Sequence, residues 1–505
     1  MSKRNHISRR RFMGQTGCGA MASTTLFSTL LNLKALGAAA MSDSSVIGSG
    51  DYKAMVCIYL GGGNDSYNML MPTQADGGSM SEYNAYAGIR NEIAIPHAAM
   101  TAVNPISGAN TILNPLNTGS RNFGLHPSMP RLAQLFNSGK AAFVSNVGTL
   151  IEPLTVNEFW NESKRVPLGL LSHSDQTQQW MTALPHERAG IGWGGRISDM
   201  VNDMNTNPSL AMGISMAGTN IFQTGGSTNS YSMNGYASIL NEDGTPNTPL
   251  RGIFGYDDDW ALMQTRTGAI DNMLDKTYSD IYENTYANLT KGGRDGWKAF
   301  DSAMRNTQMN TSFRGGVEGS YFETNSLGWV GKMIGAREEL GYKRQTFFVS
   351  MGGWDHHDEV LDAQEAGLNE VDFAINQFQE ALKEDGIDAE DCVVTFLISD
   401  FARTLGSNGN GTDHAWGGNM AVVGGPVKGQ RIYGTYPETL DPSNNDYDLG
   451  GGIVMPTTSA DVYFAEIAEW FGVPKSRLGE IFPNLNNFYD YTVATNTNPL
   501  NFLNY

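Results

Sequence analysis

Five side chains combine metal-ligating chemistry with a position just past a short apolar run. Asp65 follows Ala54–Leu60, Asp355 and His357 follow Thr346–Ser350, Asp400 follows Val393–Ile398, and His414 lies on the Gly/Asn-rich loop beyond Asp400. Carboxylates and imidazoles are the oxygen and nitrogen donors that divalent cations take up. In an extended segment, residues two apart face the same side, so Asp355 and His357 can converge on one ion while His356 turns away. Each residue also has an ordinary reading: Asp65 and Asp400 as helix N-caps, His414 as a plain loop histidine. Before Asp65, Gly61-Gly62-Gly63 allows a sharp turn, but neither GxGxxG nor a Walker lysine is present to make a phosphate cradle.

A sheet is what would gather these groups. The runs that precede them are short, rich in β-branched and aromatic residues, and apolar throughout, as strands buried on both faces are. Ser128–Ser138 predicts an amphipathic helix before a further buried strand, Ala141–Val147. The long stretch Glu359–Lys383 carries Leu361, Leu368, Val371, Ile375, Phe378 and Leu382 on one side and leads into Val393. This βαβ rhythm predicts an α/β fold around a mostly parallel sheet, in which groups past the carboxyl ends of the strands share one rim. A last helix, Ala460–Phe471, is bounded by Ser459 and Gly472. From about 202 to 344 the rhythm lapses, and this polar stretch reads as an insertion that either shapes access to the site or caps the domain. Ser172, in Leu170–Gln176, opens a polar helix, where a hydroxyl serves as N-cap or as a nucleophile facing a positive dipole end.

The chain has 505 residues, with 33 basic and 52 acidic side chains. Arg9-Arg10-Arg11 precedes a weakly apolar, uncharged stretch and then Ala38-Ala39-Ala40, which reads as a twin-arginine export signal over residues 1–40 rather than a membrane span. The expectation is a periplasmic or secreted protein of one domain, 41–505, with the twin-arginine translocase as a partner during export and no stable membrane anchor. Residues 1–40 hold six basic residues and no acid, so the remainder carries 27 against 52, a net charge of −25. A surface that acidic repels nucleic acid and anionic lipid, though a bound cation reverses the sign locally for an anionic substrate. Cys57 and Cys392 are too few for a disulfide scaffold and read as buried thiols. Nothing here supports redox chemistry: there is no dinucleotide fingerprint, haem motif or cysteine cluster.

The motifs LGGGNDSYN, LHP, SHSDQ with its trailing Trp180, GWGGR, GGWDHHD and ISDFARTLGSNGNGTDHAWGGNMAVVGG occur in this order and span most of the chain past residue 40. Together they resemble the exported family known as domain of unknown function 1501, which in turn looks like a divergent branch of the alkaline phosphatase and sulfatase superfamily. Family members more usually read GGWDTH and SEFGRT, so His356 stands for a threonine and Asp400 for a glutamate. The resemblance implies an alkaline-phosphatase-like three-layer α/β/α sandwich and one or two divalent ions (zinc, manganese or calcium). By it, Asp65 matches the aspartate after the first strand, Ser172 the nucleophile, Asp355 and His357 one metal's ligands, Asp400 the other metal's carboxylate, and His414 the late histidine. Phe401 follows Asp400 where the superfamily has Asp-His, which leaves the second metal short of a ligand. A formylglycine sulfatase needs Pro at +2 and Arg at +4 from its Cys or Ser, and Ser128-Met129-Pro130-Arg131 has Arg at +3. The implied activity is metal-dependent hydrolysis or transfer of a phosphate or sulfate ester, small-molecule or glycan, with Arg403 either clamping the ester oxygens or pairing with Asp400. The alternative is a non-catalytic envelope protein that binds glycan or a protein partner on the same fold.

Overall fold

A computed structural model describes residues 51–75, 79–103, 121–207, 210–233, 261–311, 313, 322–493 and 498–505. The expected export segment, 1–40, and parts of the 202–344 stretch lie outside the described residues. In chain order the strands are β1 (Lys53–Leu60), β2 (Leu70–Ala75), β3 (Thr101–Val103), β4 (Arg121–Leu125), β5 (Ala141–Gly148), β6 (Gly213–Ser215), β7 (Tyr231–Ser232), β8 (Arg344–Met351), β9 (Val393–Ser399), β10 (Gly418–Val423), β11 (Ile432–Gly434) and β12 (Thr458–Ser459). The central sheet has the order β11-β5-β10-β9-β1-β8-β6-β7, with β12 also on β5, while β2, β4 and β3 form a small separate antiparallel sheet. In the central sheet only β10 runs against its neighbours. The sheet is therefore mostly parallel, as the apolar runs predicted.

Alternation along the strands divides the interior into two cores. Ala54, Val56, Ile58 and Leu60 of β1 enter one core, where helices Pro130–Asn137, Phe322–Gly335 and Val360–Leu382 bring Leu132, Trp329, Val330, Leu368, Ile375 and Phe378. Met55 and Cys57 enter the other, with Trp180 of helix His173–Thr182, Trp193 and Ile197 of helix Trp193–Val201, and Phe464 of helix Ala460–Phe471. A strand buried on both sides has no polar face, which is why β1 and β9 read as unbroken apolar runs. The result is a three-layer α/β/α sandwich. Both remaining cysteines are free thiols, Cys57 buried and Cys392 half-buried. Within the 202–344 stretch, β6 and β7 join the edge of the central sheet, and helix Phe322–Gly335 packs on β8 and on helix Val360–Leu382.

Register places the rim. Leu60 lies opposite both Met351 and Ser399, so β1, β8 and β9 end level with one another. Because β10 is antiparallel, its amino end points to that same rim, and the loop that carries His414 arrives there. Among the described residues no helix is long and apolar enough to cross a membrane.

Two side chains give this layering testable consequences. Asp372, on helix Val360–Leu382, accepts the Leu132 N–H at 2.6 Å and the Arg131 N–H and guanidinium at 3.3 and 3.1 Å, capping helix Pro130–Asn137 from a neighbouring helix. Asp372→Ala is expected to lower stability by roughly 1.5–3 kcal/mol in urea unfolding, the usual range for buried hydrogen bonds to a charged group. His126 is buried, accepts the Ser128 N–H at 3.2 Å through Nδ1, and has its pKa pushed down to about 4 by that burial. In the unfolded chain it titrates near its ordinary value of 6.5, so its contribution is complete above that pH and is lost as pH falls towards 4. His126→Gln is expected to flatten the fall in denaturation midpoint across that window.

Candidate metal centre

Asp355 leaves β8 through Gly352-Gly353 and lies against the glycine turn that ends β1. A Cβ on Gly62, whose φ is +124°, would fall 2.5 Å from the Asp355 backbone nitrogen, so this approach requires glycine. The Arg403 guanidinium is buried beneath. It donates to the carbonyls of Gly63 (2.9 Å), Gly62 (2.6 Å), Trp354 (3.2 Å) and Thr412 (3.3 Å) and pairs with Asp355 Oδ1. Partial burial pushes the Asp355 pKa up, but the hydrogen bond and charge of Arg403, with His173 and His357, outweigh it and hold the carboxyl below its ordinary range. Asp355 is thus a fixed anion on the rim.

Three imidazoles surround it. His357 Nε2 is 3.1 Å and His414 Nε2 is 3.3 Å from Asp355 Oδ1, and His173 Nε2 is 3.4 Å from Oδ2. Each ring is oriented through its other nitrogen: His173 Nδ1 by Asp400 Oδ2 at 2.7 Å, His414 Nδ1 by the Leu171 carbonyl at 2.8 Å, His357 Nδ1 by Asp413 Oδ1 at 3.3 Å. Those oxygens only accept, so each Nδ1 is the donor of its pair and each ring turns Nε2 towards Asp355, where it meets the carboxylate through a proton or, without one, offers a lone pair to a cation. His357 Nε2 and His414 Nε2 are themselves 3.0 Å apart. Converging lone pairs around a carboxylate repel unless a proton or a cation lies among them. Ligand atoms of His173, Asp355 and His414 all lie within 4.8 Å of one another, a spacing that suits one ion. Imidazoles oriented by carboxylate or carbonyl partners are the usual setting of histidine metal ligands.

Support for the rings extends further back. Leu171 adopts φ +67°, rare for a branched side chain, with its N–H held by Gln176 Oε1 at 2.6 Å while its carbonyl meets His414. Tyr59, on β1 opposite Ile398 of β9, donates its hydroxyl to Asp400 Oδ1 and contacts Thr177 Oγ1 at 2.8 Å. Burial first, then the Asp400 charge, pushes the Tyr59 phenol well up, so it stays a donor.

The residues named from sequence therefore divide. Asp355, His357 and His414 meet, and His356 turns away with Nδ1 buried and without a hydrogen-bond partner. Asp400 joins the cluster through His173, but its two oxygens serve His173 and Tyr59, which makes it the orienter of a ligand. Asp65 is wholly buried in an ion pair with Arg90 and faces that partner rather than the ring cluster. Arg403 pairs with Asp355 rather than Asp400, and each of its nitrogens is engaged beneath that carboxylate. Ser172 occupies the N-cap position of helix His173–Thr182 without making the capping bond, and its hydroxyl lies 3.2 Å from Ser174 Oγ. Sequence reasoning missed His173, although it is the imidazole in the same SHSDQ motif as Ser172. It also missed Tyr59, Leu171 and Asp413.

An α/β sandwich with an Asp and three His at one strand-end rim defines the class. Residues 275–447, which hold Asp355, His357, Asp400 and His414, match the family described as Protein of unknown function (DUF1501). No curated protein matches the chain. Solved structures with partial likeness include Ps i-CgsB in complex with k-i-k-neocarrahexaose, at 11% identity over 87% of this chain and 77% of that one, TM-score 0.32. A protein of glycosaminoglycan metabolism from Bacteroides thetaiotaomicron matches at 10% identity over 88% and 78%, TM-score 0.31. A mutant of TAB5 alkaline phosphatase with Mg bound matches at 9% over 76% and 94%, TM-score 0.24. At such scores the site is read from its own residues.

The ring orientations are directly measurable. In the metal-free protein above pH 8, long-range proton–nitrogen NMR is expected to give Nδ1–H tautomers for His173 and His414, and Asp400→Leu to release His173 alone. Nε2–H signals from both rings in the wild type would contradict this arrangement.

Proposed function

We propose that the protein is a metal-dependent hydrolase or transferase acting on a phosphate or sulfate ester, working in the periplasm after twin-arginine export. The observation that carries this reading is the convergence of three Nε2 atoms, each ring held by an oxygen on Nδ1, on the Asp355 carboxylate. Imidazoles with one carboxylate suit zinc or manganese better than calcium, which prefers an all-oxygen shell. His173, Asp355 and His414 would hold the ion, with His357 beside them. A bound divalent ion would supply charge to offset the ester oxygens and to favour the ionised form of an attacking hydroxyl.

The chain's own residues supply the rest. Arg403 keeps Asp355 ionised and fixed, while Asp400 and Leu171 hold His173 and His414 with their lone pairs inward. Ser172 directly precedes His173, and its hydroxyl is free of the capping bond, which suits it for attack on phosphorus or sulfur. The rim is open: His173, Asp355 and His357 side chains retain 37%, 46% and 46% of their exposure, enough for an ester to reach them. A second reading, an envelope protein that binds glycan or a partner without turnover, draws on the engagement of Asp65 by Arg90 and of Asp400 by Tyr59, which takes up two of the carboxylates expected to hold metal.

Elemental analysis of the mature protein is expected to find one zinc or manganese per chain and near-complete loss in Asp355→Ala. Asp400→Asn should weaken metal affinity by roughly 10–100-fold, as losing a ligand's orienting partner does elsewhere. Asp65→Asn should leave metal content intact. Turnover of p-nitrophenyl phosphate or sulfate that disappears with Asp355→Ala and Ser172→Ala supports the hydrolase; bound metal without turnover across an ester panel supports the second reading.

A further inference from the structure

Tyr59 puts a polar tip near the end of an apolar strand. Along β1, Met55 and Cys57 enter the core that also holds Trp180 of helix His173–Thr182, and Tyr59, two residues on, packs against that same core. Its ring is fixed on two sides: it stacks on Phe348 of β8, centroids 6.1 Å apart at 24°, and it passes Gly61, where an added Cβ would fall 3.1 Å from its Cε1. The hydroxyl is thereby carried to a point between helix His173–Thr182 and Asp400.

Counting protons gives these bonds a direction. Buried Asp400 accepts from Tyr59 at Oδ1 and from His173 Nδ1 at Oδ2. A carboxylate only accepts, so the phenolic proton goes to Asp400, and the 2.8 Å contact between Tyr59 and Thr177 Oγ1 takes its proton from the threonine. Other helical threonines behave differently: Thr265, Thr285 and Thr290 return their hydroxyls to the carbonyl four residues back, at 2.9, 2.6 and 2.9 Å. Thr177 gives its proton across to β1 instead.

His173 and Thr177 are four residues apart and so lie on one face of their helix. Both reach Asp400, His173 directly at one oxygen and Thr177 through Tyr59 at the other. Two attachments one turn apart keep the helix from rotating about its axis, or sliding along the rim, without breaking one of them. The helix starts with Ser172 at its N-cap and His173 in its first turn, so this grip sets where both stand relative to Asp355.

We propose that Tyr59 and Thr177 are positioning residues of the metal centre, acting through Asp400 to hold the first turn of helix His173–Thr182, and with it His173 and Ser172, on the rim. This rests on the metal-centre reading and names what sets the affinity of that site. The test is calorimetry of the purified metal-free protein with zinc, alongside side-chain proton–nitrogen NMR, which needs no metal. Tyr59→Phe keeps the ring and removes the hydroxyl; it is expected to raise the zinc Kd roughly 10-fold, at the lower end of what loss of an orienting partner does to a ligand. Thr177→Val should raise it about threefold, as loss of one hydrogen bond does, and Thr177→Ser, which keeps the hydroxyl, should recover most of that. In metal-free spectra of Tyr59→Phe and Thr177→Val the His173 ring signals should move well beyond those of His414, a contrast that general loosening of the fold would erase. Adding Tyr59→Phe to Asp400→Asn should cost little beyond Asp400→Asn alone, because the phenol acts through that carboxylate. Zinc bound by the wild type with a Kd indifferent to Tyr59→Phe and Thr177→Val overturns the proposal and leaves the metal centre standing. Equal disturbance of both rings, or full additivity with Asp400→Asn, overturns it in the same way. No zinc uptake by the wild type removes the metal centre, and the proposal with it.

Discussion

Three imidazole Nε2 atoms and a carboxylate crowd one point on the sheet rim, and the rest of the site is arranged to keep them there. At separations of 3.0–3.4 Å these groups attract one another only with a proton or a cation among them. A protein that needed only to stabilise itself would relax them by turning one ring or by supplying a donor. Here relaxation is blocked from behind: Asp400, Leu171 and Asp413 each hold an Nδ1, and Arg403 holds Asp355 from beneath the rim. What keeps the four groups together is hydrogen bonding one layer back, part-buried at Asp400, Leu171 and Arg403 and exposed at Asp413.

That second layer depends on backbone features distant in sequence. Level strand ends bring Gly61, Gly352 and Asp400 to one height, because Leu60 lies opposite Met351 and Ser399. Close approach at Gly62 admits the Asp355 backbone, and a Cβ on Gly411 would lie 2.2 Å from the His357 carbonyl carbon. Leu171 holds a left-handed conformation that a leucine seldom adopts, and its carbonyl meets His414 in consequence. Strain of this kind persists where surrounding contacts over-determine it, and Gln176 on the Leu171 N–H is such a contact.

What the sequence makes legible follows from which interactions leave a pattern in it. Burial on both faces leaves one, so β1, β5, β8 and β9 are readable as apolar runs, and Ser459 is readable as the cap of helix Ala460–Phe471, where its hydroxyl accepts the Asp461 N–H. Period two leaves one, so Asp355 and His357 can be paired and His356 set aside. Partner choice among polar groups does not. Asp65 has the sequence signature of a rim ligand, yet Arg90, 25 residues on, claims it inside the core. Arg403 looks available because a lone arginine after a strand carries no mark of the carbonyls that will surround it. His173 was hidden by Ser172, since a hydroxyl at a helix start draws attention away from the imidazole beside it. Two short strands, β6 and β7, left no period within a polar stretch and were absorbed into the expected insertion.

The engagement of Asp400 bears on how many ions this rim suits. At the end of β9, Tyr59 of the adjacent β1 meets one oxygen of Asp400 and His173 the other. Phe401 packs at a tilt against the rings of His173 and His414, with centroids 4.8 and 4.5 Å away. Asp400 thereby fixes the ring of His173, whose other nitrogen faces Asp355. With both oxygens of Asp400 engaged and Asp65 paired with Arg90 within the core, Asp355 is the carboxylate that the three rings share.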